Sequence, residues 1–185
     1  MRLKDIPNII SALRLAAVIP VVWLLLSYEF GWALALFAFA GVSDGVDGFL
    51  AKQYGWQSRL GGILDPLADK ALLVICFLVL GSLGLIPVWL VLAVVFRDLV
   101  IVGGALLYNY RVEILEASPT RISKLNTLVQ LVLVVGVIMQ AVPMPVPGWL
   151  IEALIWSCLA TTLVSGVQYV LVWSAKARRH GWRDE

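Results

Sequence analysis

The sequence predicts an all-α integral membrane protein, a bundle of six transmembrane helices with both termini in the cytoplasm. Hydrophobic residues make up 61% of the 185 residues, and charged residues make up only 14%. A helix needs roughly 20 mostly apolar residues to cross a bilayer. Six stretches of about this length follow one another, at 7–27, 31–53, 61–82, 86–110, 122–142 and 148–175. Since their connections are short, we expect residues 1–185 to form a single membrane domain.

The distribution of basic residues sets the expected orientation. Lys and Arg concentrate at both termini and at alternate connections, near Arg59 and between residues 111 and 124. The other three connections, near residues 28–31, 81–86 and 141–148, carry no Lys or Arg. Because cytoplasmic loops are enriched in Lys and Arg, we expect the termini and the two basic connections to face the cytoplasm.

The first segment begins with a polar face. Asn8, Ser11 and Arg14 follow one another at intervals of three residues, so they share a helix face near the predicted cytoplasmic surface. Helix capping by Asn8 and contact of Arg14 with lipid headgroups explain this face without a site. A substrate-binding role is the alternative.

The second and third segments carry four aspartates within twenty-six residues, Asp44, Asp47, Asp65 and Asp69. Spacings of i, i+3 and i, i+4 place each pair on one helix face. The connection between the segments makes the helices antiparallel, which brings all four carboxylates to a similar depth. A carboxylate in a membrane segment costs about 2.5–3.5 kcal/mol on insertion scales, and four together repel one another unless cations hold them.

This cluster predicts a metal site. Four carboxylates suit Mg²⁺ or Mn²⁺, and they accommodate two ions better than one. The small residues around them, Gly45, Gly48, Ala51 and Gly61, allow either close helix packing or the approach of a bulky ligand. An isolated aspartate can be a proton relay or a structural hydrogen-bond acceptor, but four at this spacing favour metal binding.

The string resembles the signature of the CDP-alcohol phosphotransferase family, D-x2-D-G-x2-A-R-x8-G-x3-D-x3-D. It is present here, with every spacing kept, as Asp44, Asp47, Gly48, Ala51, Lys52, Gly61, Asp65 and Asp69. Lys52 replaces the usual Arg, which keeps the charge but loses a planar fork that can grip a pyrophosphate. The start of the first segment is similar to the P-N-x-x-[ST]-x-x-R pattern of the same family.

The resemblance implies an enzyme, usually a homodimer, that displaces CMP from a CDP-linked lipid by an alcohol. Asp44, Asp47, Asp65 and Asp69 would surround two divalent ions, and Asp69 would also act as general base on the acceptor hydroxyl. The residues assigned to the CDP-lipid are Asn8, Ser11, Gly48, Ala51, Lys52 and Gly61. We expect a multi-pass protein of the bacterial cytoplasmic membrane, with its active site facing the cytoplasm and no nucleic-acid partner.

The remaining segments carry the predicted acceptor site. Arg97 and Asp98 interrupt the fourth segment, either as an internal salt bridge or because Arg97 holds a phosphate oxygen. Lys124 and Asn126 begin the fifth segment, where Lys124 alternatively reaches the lipid headgroups. With Arg14, these residues form the predicted acceptor site, whereas the sixth segment is generic.

Two observations bear on which alcohol is used. Residues 64–70, 85–88, 96–98 and 122–131 resemble CMP-forming cardiolipin synthases of the eukaryotic type, which implies phosphatidylglycerol as the acceptor. Phosphatidylglycerophosphate synthases, the alternative, typically have a K-x-K-T run where Asn126 stands here. Losing a cation favours a phosphodiester over the doubly charged phosphomonoester of glycerol 3-phosphate. A divalent-cation channel or transporter is the alternative from another class, although transporters more often spread charges over broken helices or repeats.

Overall fold

The computed structural model describes the backbone of residues 6–54, 61–111, 121–142 and 144–179, and the side chains of 13, 15–43, 70–101, 103, 122–142, 144–169 and 171. The described backbone forms six helices: α1 (Ile6–Leu26), α2 (Phe30–Tyr54), α3 (Gly61–Ser82), α4 (Val88–Arg111), α5 (Arg121–Ala141) and α6 (Gly148–Arg179). Each predicted segment is thus a helix. The main difference is at the end of α6, which continues past residue 175 to Arg179.

Two of these helices end in the same kind of turn. The chain reverses after α1 at Tyr28 (φ 62°) and after α3 at Gly84 (φ 74°). In each turn, the N–H of the following residue donates at 2.9 Å to a carbonyl five residues earlier. This Schellman pattern satisfies carbonyls that the helix leaves unpaired. The turns lie at two of the three connections that lack Lys and Arg.

The chain divides into two compact units, Met1–Ile86 with Val134–Pro147, and Pro87–Leu133 with Gly148–Glu185. In the first unit, α1 packs against both α2 and α3. Its described core is apolar and includes Leu25, Phe37 and Phe77, which are almost completely buried. That residues 1–185 form a single domain stays a prediction.

In the second unit, α4 packs against α6. Trp89 and Trp156 lie side by side with ring centroids 5.7 Å apart, and further along the same two helices Arg97 contacts Ser165. The two helices therefore run parallel. All the buried polar side chains among the described residues lie in this unit: Arg97, Ser123, Asn126, Gln130, Thr162 and Ser165. The second unit thus contains a polar seam rather than a purely apolar core.

Within the described residues, two helical stretches are long and apolar enough to cross a membrane, Ile122–Ala141 and Gly148–Tyr169. Shorter apolar helical stretches occupy Leu15–Leu26, Phe30–Ser43 and Lys70–Ser82. The six spans and the cytoplasmic termini stay predictions.

Candidate functional site

The backbone places the four aspartates on two helices. Asp44 and Asp47 lie in α2, and Asp65 and Asp69 lie in α3. Their side chains lie outside the described part of the protein. The same holds for the side chains of Arg14 and of the residues predicted to bind the CDP-lipid, which are Asn8, Ser11, Gly48, Ala51, Lys52 and Gly61. Their roles stay predictions.

The donor set on α2 and α3 fits the expected cations. With helical backbone at all four positions, the aspartates of a pair are about 4.5 Å apart along the axis in α2 and about 6 Å apart in α3. All four donors are carboxylates, and hard ions such as Mg²⁺ and Mn²⁺ prefer such oxygen ligands. These four residues are therefore the candidate metal ligands.

Arg97 is the centre of a buried polar layer formed by α4, α5 and α6. Only 4% of the residue is exposed. Nη1 donates to Oδ1 of Asp98 at 2.6 Å, and Nη2 donates to Oγ of Ser123 at 2.7 Å and to Oγ of Ser165 at 2.5 Å. The guanidinium carbon lies 5.9 Å from the ring centroid of Tyr169. Among the described residues, Nε of Arg97 has no hydrogen-bond partner.

These contacts confirm the salt bridge that was one of the two interpretations of Arg97 and Asp98. An arginine in apolar surroundings is tolerated when its charge is paired and its N–H groups are bonded, and this layer meets most of that requirement. A phosphate-binding role of Arg97 stays a prediction. For such a role, Nε is available as a donor, because it has no partner among the described residues.

Asn126 forms a second polar layer one helical turn further along α5. It is completely buried, and its Oδ1 accepts hydrogen bonds from Oγ1 of Thr161 at 2.8 Å and of Thr162 at 3.0 Å. Among the described residues, Nδ2 has no hydrogen-bond partner. Gln130, another turn along α5, is also buried. Its Nε2 likewise has no hydrogen-bond partner among the described residues.

Lys124 lies apart from these layers. It follows Ser123 directly, but its side chain is exposed in the described structure. Successive residues of a helix point about 100° apart, so Ser123 and Asn126 share a buried face that Lys124 does not. The predicted acceptor residues on α4 and α5 thus divide into two buried residues, Arg97 and Asn126, and an exposed one.

Residues of α6 complete these layers, although the sequence pattern gave them no predicted role. Thr161, Thr162 and Ser165 place three hydroxyl groups against Arg97 and Asn126. Gly166 lies beside Ser165, and a Cβ there would stand 3.7 Å from Cγ of Arg97. A signal was present, because Thr162 and Ser165 are spaced i, i+3 in a mostly apolar segment. Such spacing predicts a polar helix face.

The sequence of this chain matches a known protein family. A sequence model of the CDP-alcohol phosphatidyltransferase family matches residues 4–167, which include α1 to α5 and much of α6. The chain belongs to the CDP-alcohol phosphatidyltransferase family. This confirms the resemblance carried by the aspartate signature. The family match also includes the α6 hydroxyl groups, so the sixth segment is not merely a generic span.

Relatives named as cardiolipin synthases and relatives named as glycerol-3-phosphate phosphatidyltransferases are both similar to this chain. CMP-forming cardiolipin synthase of Rattus norvegicus is 35% identical over 181 residues, which cover 89% of this chain and 60% of the relative. The enzyme of the same name from Streptomyces coelicolor is 41% identical over 111 residues, covering 55% and 52%. A CDP-diacylglycerol–glycerol-3-phosphate 3-phosphatidyltransferase of Cereibacter sphaeroides is 36% identical over 136 residues, covering 69% and 60%. The chain spans about half to three fifths of the length of these family members.

Proposed function

We propose that this protein transfers a phosphatidyl group from CDP-diacylglycerol to phosphatidylglycerol and releases cardiolipin and CMP. The observation that carries the transferase activity is the complete aspartate signature in a member of the CDP-alcohol phosphatidyltransferase family. The choice of acceptor rests on the polar layers around Arg97 and Asn126.

The aspartates on α2 and α3 perform the transfer in this proposal. Asp44, Asp47, Asp65 and Asp69 would hold two Mg²⁺ or Mn²⁺ ions, and such ions would supply positive charge that offsets the pyrophosphate and the leaving CMP. The carboxylate of Asp69 takes the proton of the attacking hydroxyl. A bond forms between the acceptor oxygen and the phosphorus that carries the diacylglycerol, and the bond from that phosphorus to CMP breaks.

The remaining predicted residues position the two lipids. The residues that bind the CDP-lipid are Asn8, Ser11, Gly48, Ala51, Lys52 and Gly61. Lys52 supplies a positive charge near the pyrophosphate, and the small residues leave room for the nucleotide. Arg14, Arg97 and Lys124 hold the phosphate of the acceptor, and charge-assisted hydrogen bonds of this kind contribute about 1.5–3 kcal/mol each.

The charge balance of the buried layers favours a phosphodiester. The guanidinium of Arg97 already shares its charge with Asp98 at 2.6 Å, and Asn126 is neutral. A phosphodiester brings one negative charge into these surroundings, whereas a phosphomonoester brings nearly two. Because the cation of these layers is already paired, added negative charge is costly to bury there, and the second charge of a phosphomonoester increases that cost.

We therefore expect purified protein, supplied with CDP-diacylglycerol and Mg²⁺ or Mn²⁺, to make cardiolipin from phosphatidylglycerol. Glycerol 3-phosphate should be used far less well. Mass spectrometry of the lipid products, with each acceptor offered separately, measures the preference. Production of phosphatidylglycerophosphate without cardiolipin would instead establish the second candidate activity, which is favoured by relatives such as the Cereibacter sphaeroides enzyme.

The variant Asn126→Lys extends this acceptor test. A lysine restores a cation at the position, and the hydroxyl groups of Thr161 and Thr162 can turn to accept hydrogen bonds from its ammonium group. We expect the use of glycerol 3-phosphate to rise relative to phosphatidylglycerol. An unchanged ratio of the two products would contradict the role of charge at this position.

A divalent-cation channel or transporter is the alternative from another class. Liposomes containing the protein distinguish the two functions. Flux of radioactive manganese without turnover of CDP-lipid favours transport, whereas release of CMP without flux favours the transferase.

We also propose a multi-pass homodimer in the bacterial cytoplasmic membrane, with the active site facing the cytoplasm. Exposed tryptophans support the membrane placement, because Trp23, Trp32, Trp89 and Trp149 lie near helix ends that adjoin the connections without Lys or Arg. Tryptophan is enriched at membrane–water interfaces. Chemical cross-linking of the purified protein in detergent tests the dimer.

Thiol labelling should show the proposed orientation. Ser82→Cys, at the exposed end of α3, should react with a membrane-impermeant maleimide added to intact spheroplasts. Lys176→Cys should react only after permeabilisation, because the C-terminus is placed in the cytoplasm. The native Cys76 and Cys158 are both completely buried, so the unmodified protein serves as a low-background control. The reverse labelling pattern would contradict the orientation.

A further inference from the structure

The amide of Asn126 is oriented by α6. Oγ1 of Thr162 donates to its Oδ1 at 3.0 Å, and Oγ1 of Thr161 lies 2.8 Å from the same oxygen. Thr161 can instead give its single hydrogen to the carbonyl oxygens of Ser157 or Cys158, at 2.9 and 3.1 Å. Thr162 also has a side-chain hydrogen bond with Cys158, one turn earlier in α6. The two threonine hydroxyls together hold the carbonyl side of the amide towards α6, and the bond from Thr162 is the more buried of the two.

This orientation leaves Nδ2 of Asn126 as a buried donor. The residue is completely buried, and the described part of the chain offers Nδ2 no acceptor. An unpaired N–H in a protein interior is unfavourable, so buried donors are normally satisfied by protein, water or ligand. An amide N–H is a good hydrogen-bond donor to a neutral hydroxyl oxygen. Such a bond brings no charge into the interior, so it needs no additional cation.

The spacing of the two polar layers along α5 is comparable to the reach of a glycerol phosphate headgroup. Ser123, which accepts a hydrogen bond from Arg97, precedes Asn126 by about 4.5 Å along α5. In a glycerol phosphate, four covalent bonds, each of about 1.5 Å, connect the phosphorus to the oxygen on the middle carbon. A glycerol whose phosphate lies at Arg97 therefore reaches the layer of Asn126 with its secondary hydroxyl.

We propose that Nδ2 of Asn126 donates a hydrogen bond to the secondary hydroxyl of the acceptor glycerol. Thr162 is the positioning residue for this amide. The role rests on the proposed function, but phosphatidylglycerol and glycerol 3-phosphate both carry this secondary hydroxyl. Asn126 and Thr162 thus select a vicinal diol over a simple alcohol, whichever of the two acceptors is used.

An acceptor that lacks only this hydroxyl tests the selection. The pair is phosphatidylglycerol and the same lipid with a propane-1,3-diol headgroup. We expect the unmodified protein to show a kcat/KM about tenfold higher for phosphatidylglycerol. In Asn126→Leu and Thr162→Val the ratio should fall towards one, and Thr162→Ser, which keeps the hydroxyl, should retain it.

Gln130→Leu is the matched control. It also removes a buried amide whose Nε2 has no partner among the described residues, but one turn further along α5. This variant should keep the ratio of the unmodified protein. A purely structural role of Asn126 would lower both rates together and leave the ratio unchanged in Asn126→Leu. That result, or equal use of the two lipids by the unmodified protein, would overturn the assignment.

Failure of the proposed function gives a different pattern. If glycerol 3-phosphate replaces phosphatidylglycerol as the acceptor, the same comparison is made with propane-1,3-diol phosphate, and loss of selection in Asn126→Leu still supports the hydroxyl contact. If no acceptor releases CMP, thermal stabilisation by short-chain forms of the two lipids decides. Greater stabilisation by phosphatidylglycerol that disappears in Asn126→Leu supports the contact, and equal stabilisation overturns it.

Discussion

Excess EDTA should abolish CMP release, and restored Mg²⁺ or Mn²⁺ should recover it. We expect a loss of at least about 10³-fold, because bound cations contribute several kcal/mol to stabilising the charge that develops during phosphoryl transfer. Without cations, Asp44, Asp47, Asp65 and Asp69 would also repel one another and the pyrophosphate. Release of radiolabelled CMP from CDP-diacylglycerol measures the effect.

The choice of cation gives a second result from the same assay. Four carboxylates on two helices should favour ions that bind oxygen at about 2.0–2.1 Å, and Ca²⁺ prefers longer distances and more ligands. Ca²⁺ should therefore support CMP release poorly. EDTA saturated beforehand with Mg²⁺ controls for effects of the chelator itself. Full turnover in excess free EDTA would contradict the assignment of the aspartates as a metal site.

Asp69→Asn should lower kcat by roughly 10²–10⁴-fold, the usual contribution of a general base. The amide has nearly the shape of the carboxylate, but it does not take a proton from the attacking hydroxyl. Binding of the CDP-lipid should be weakened less than in Asp44→Asn, since Asp44 is assigned only to holding the cations. Single-turnover rates and equilibrium binding of CDP-diacylglycerol separate the two effects.

Asp44→Asn is the matched variant because it makes the same chemical change at another predicted metal ligand, on α2. It should weaken binding of the CDP-lipid and lower its turnover together. The base assignment would be wrong if Asp69→Asn kept near-normal turnover. It would also be wrong if both variants lost binding and turnover to the same extent, because Asp69 would then act only as a metal ligand.

The helices and the aspartate spacing were predictable from the sequence for a simple reason. Apolar runs of about 20 residues, separated by short polar or turn-forming stretches, specify where helices begin and end. All six predicted segments are helices, and their bounds agree closely with the structure apart from the extension of α6. The rise per residue of a helix is constant, so the spacing within each aspartate pair follows once the segment is helical.

The polar layers of the second unit were only partly predictable. Arg97 and Asn126 stand out as polar residues in apolar segments, and both are buried. The sequence predicts Lys124 in the same acceptor site, yet its side chain is exposed in the described structure. In a helix that is apolar on nearly every side, hydrophobic periodicity does not show which face packs against its neighbours. The rotation of α5 about its own axis therefore could not be obtained from the pattern.

The sequence by itself determined the helices, the family and the four aspartates, because these depend on local composition and fixed spacing. Only the tertiary structure decided that Arg97 is shared between Asp98, Ser123 and Ser165, and that α6 orients the amide of Asn126. Apart from the bond between the adjacent Arg97 and Asp98, those hydrogen bonds join residues 26 to 68 positions apart in the chain. They exist because α4, α5 and α6 pack at one particular rotation and depth, which side-chain contacts between helices specify and local sequence does not.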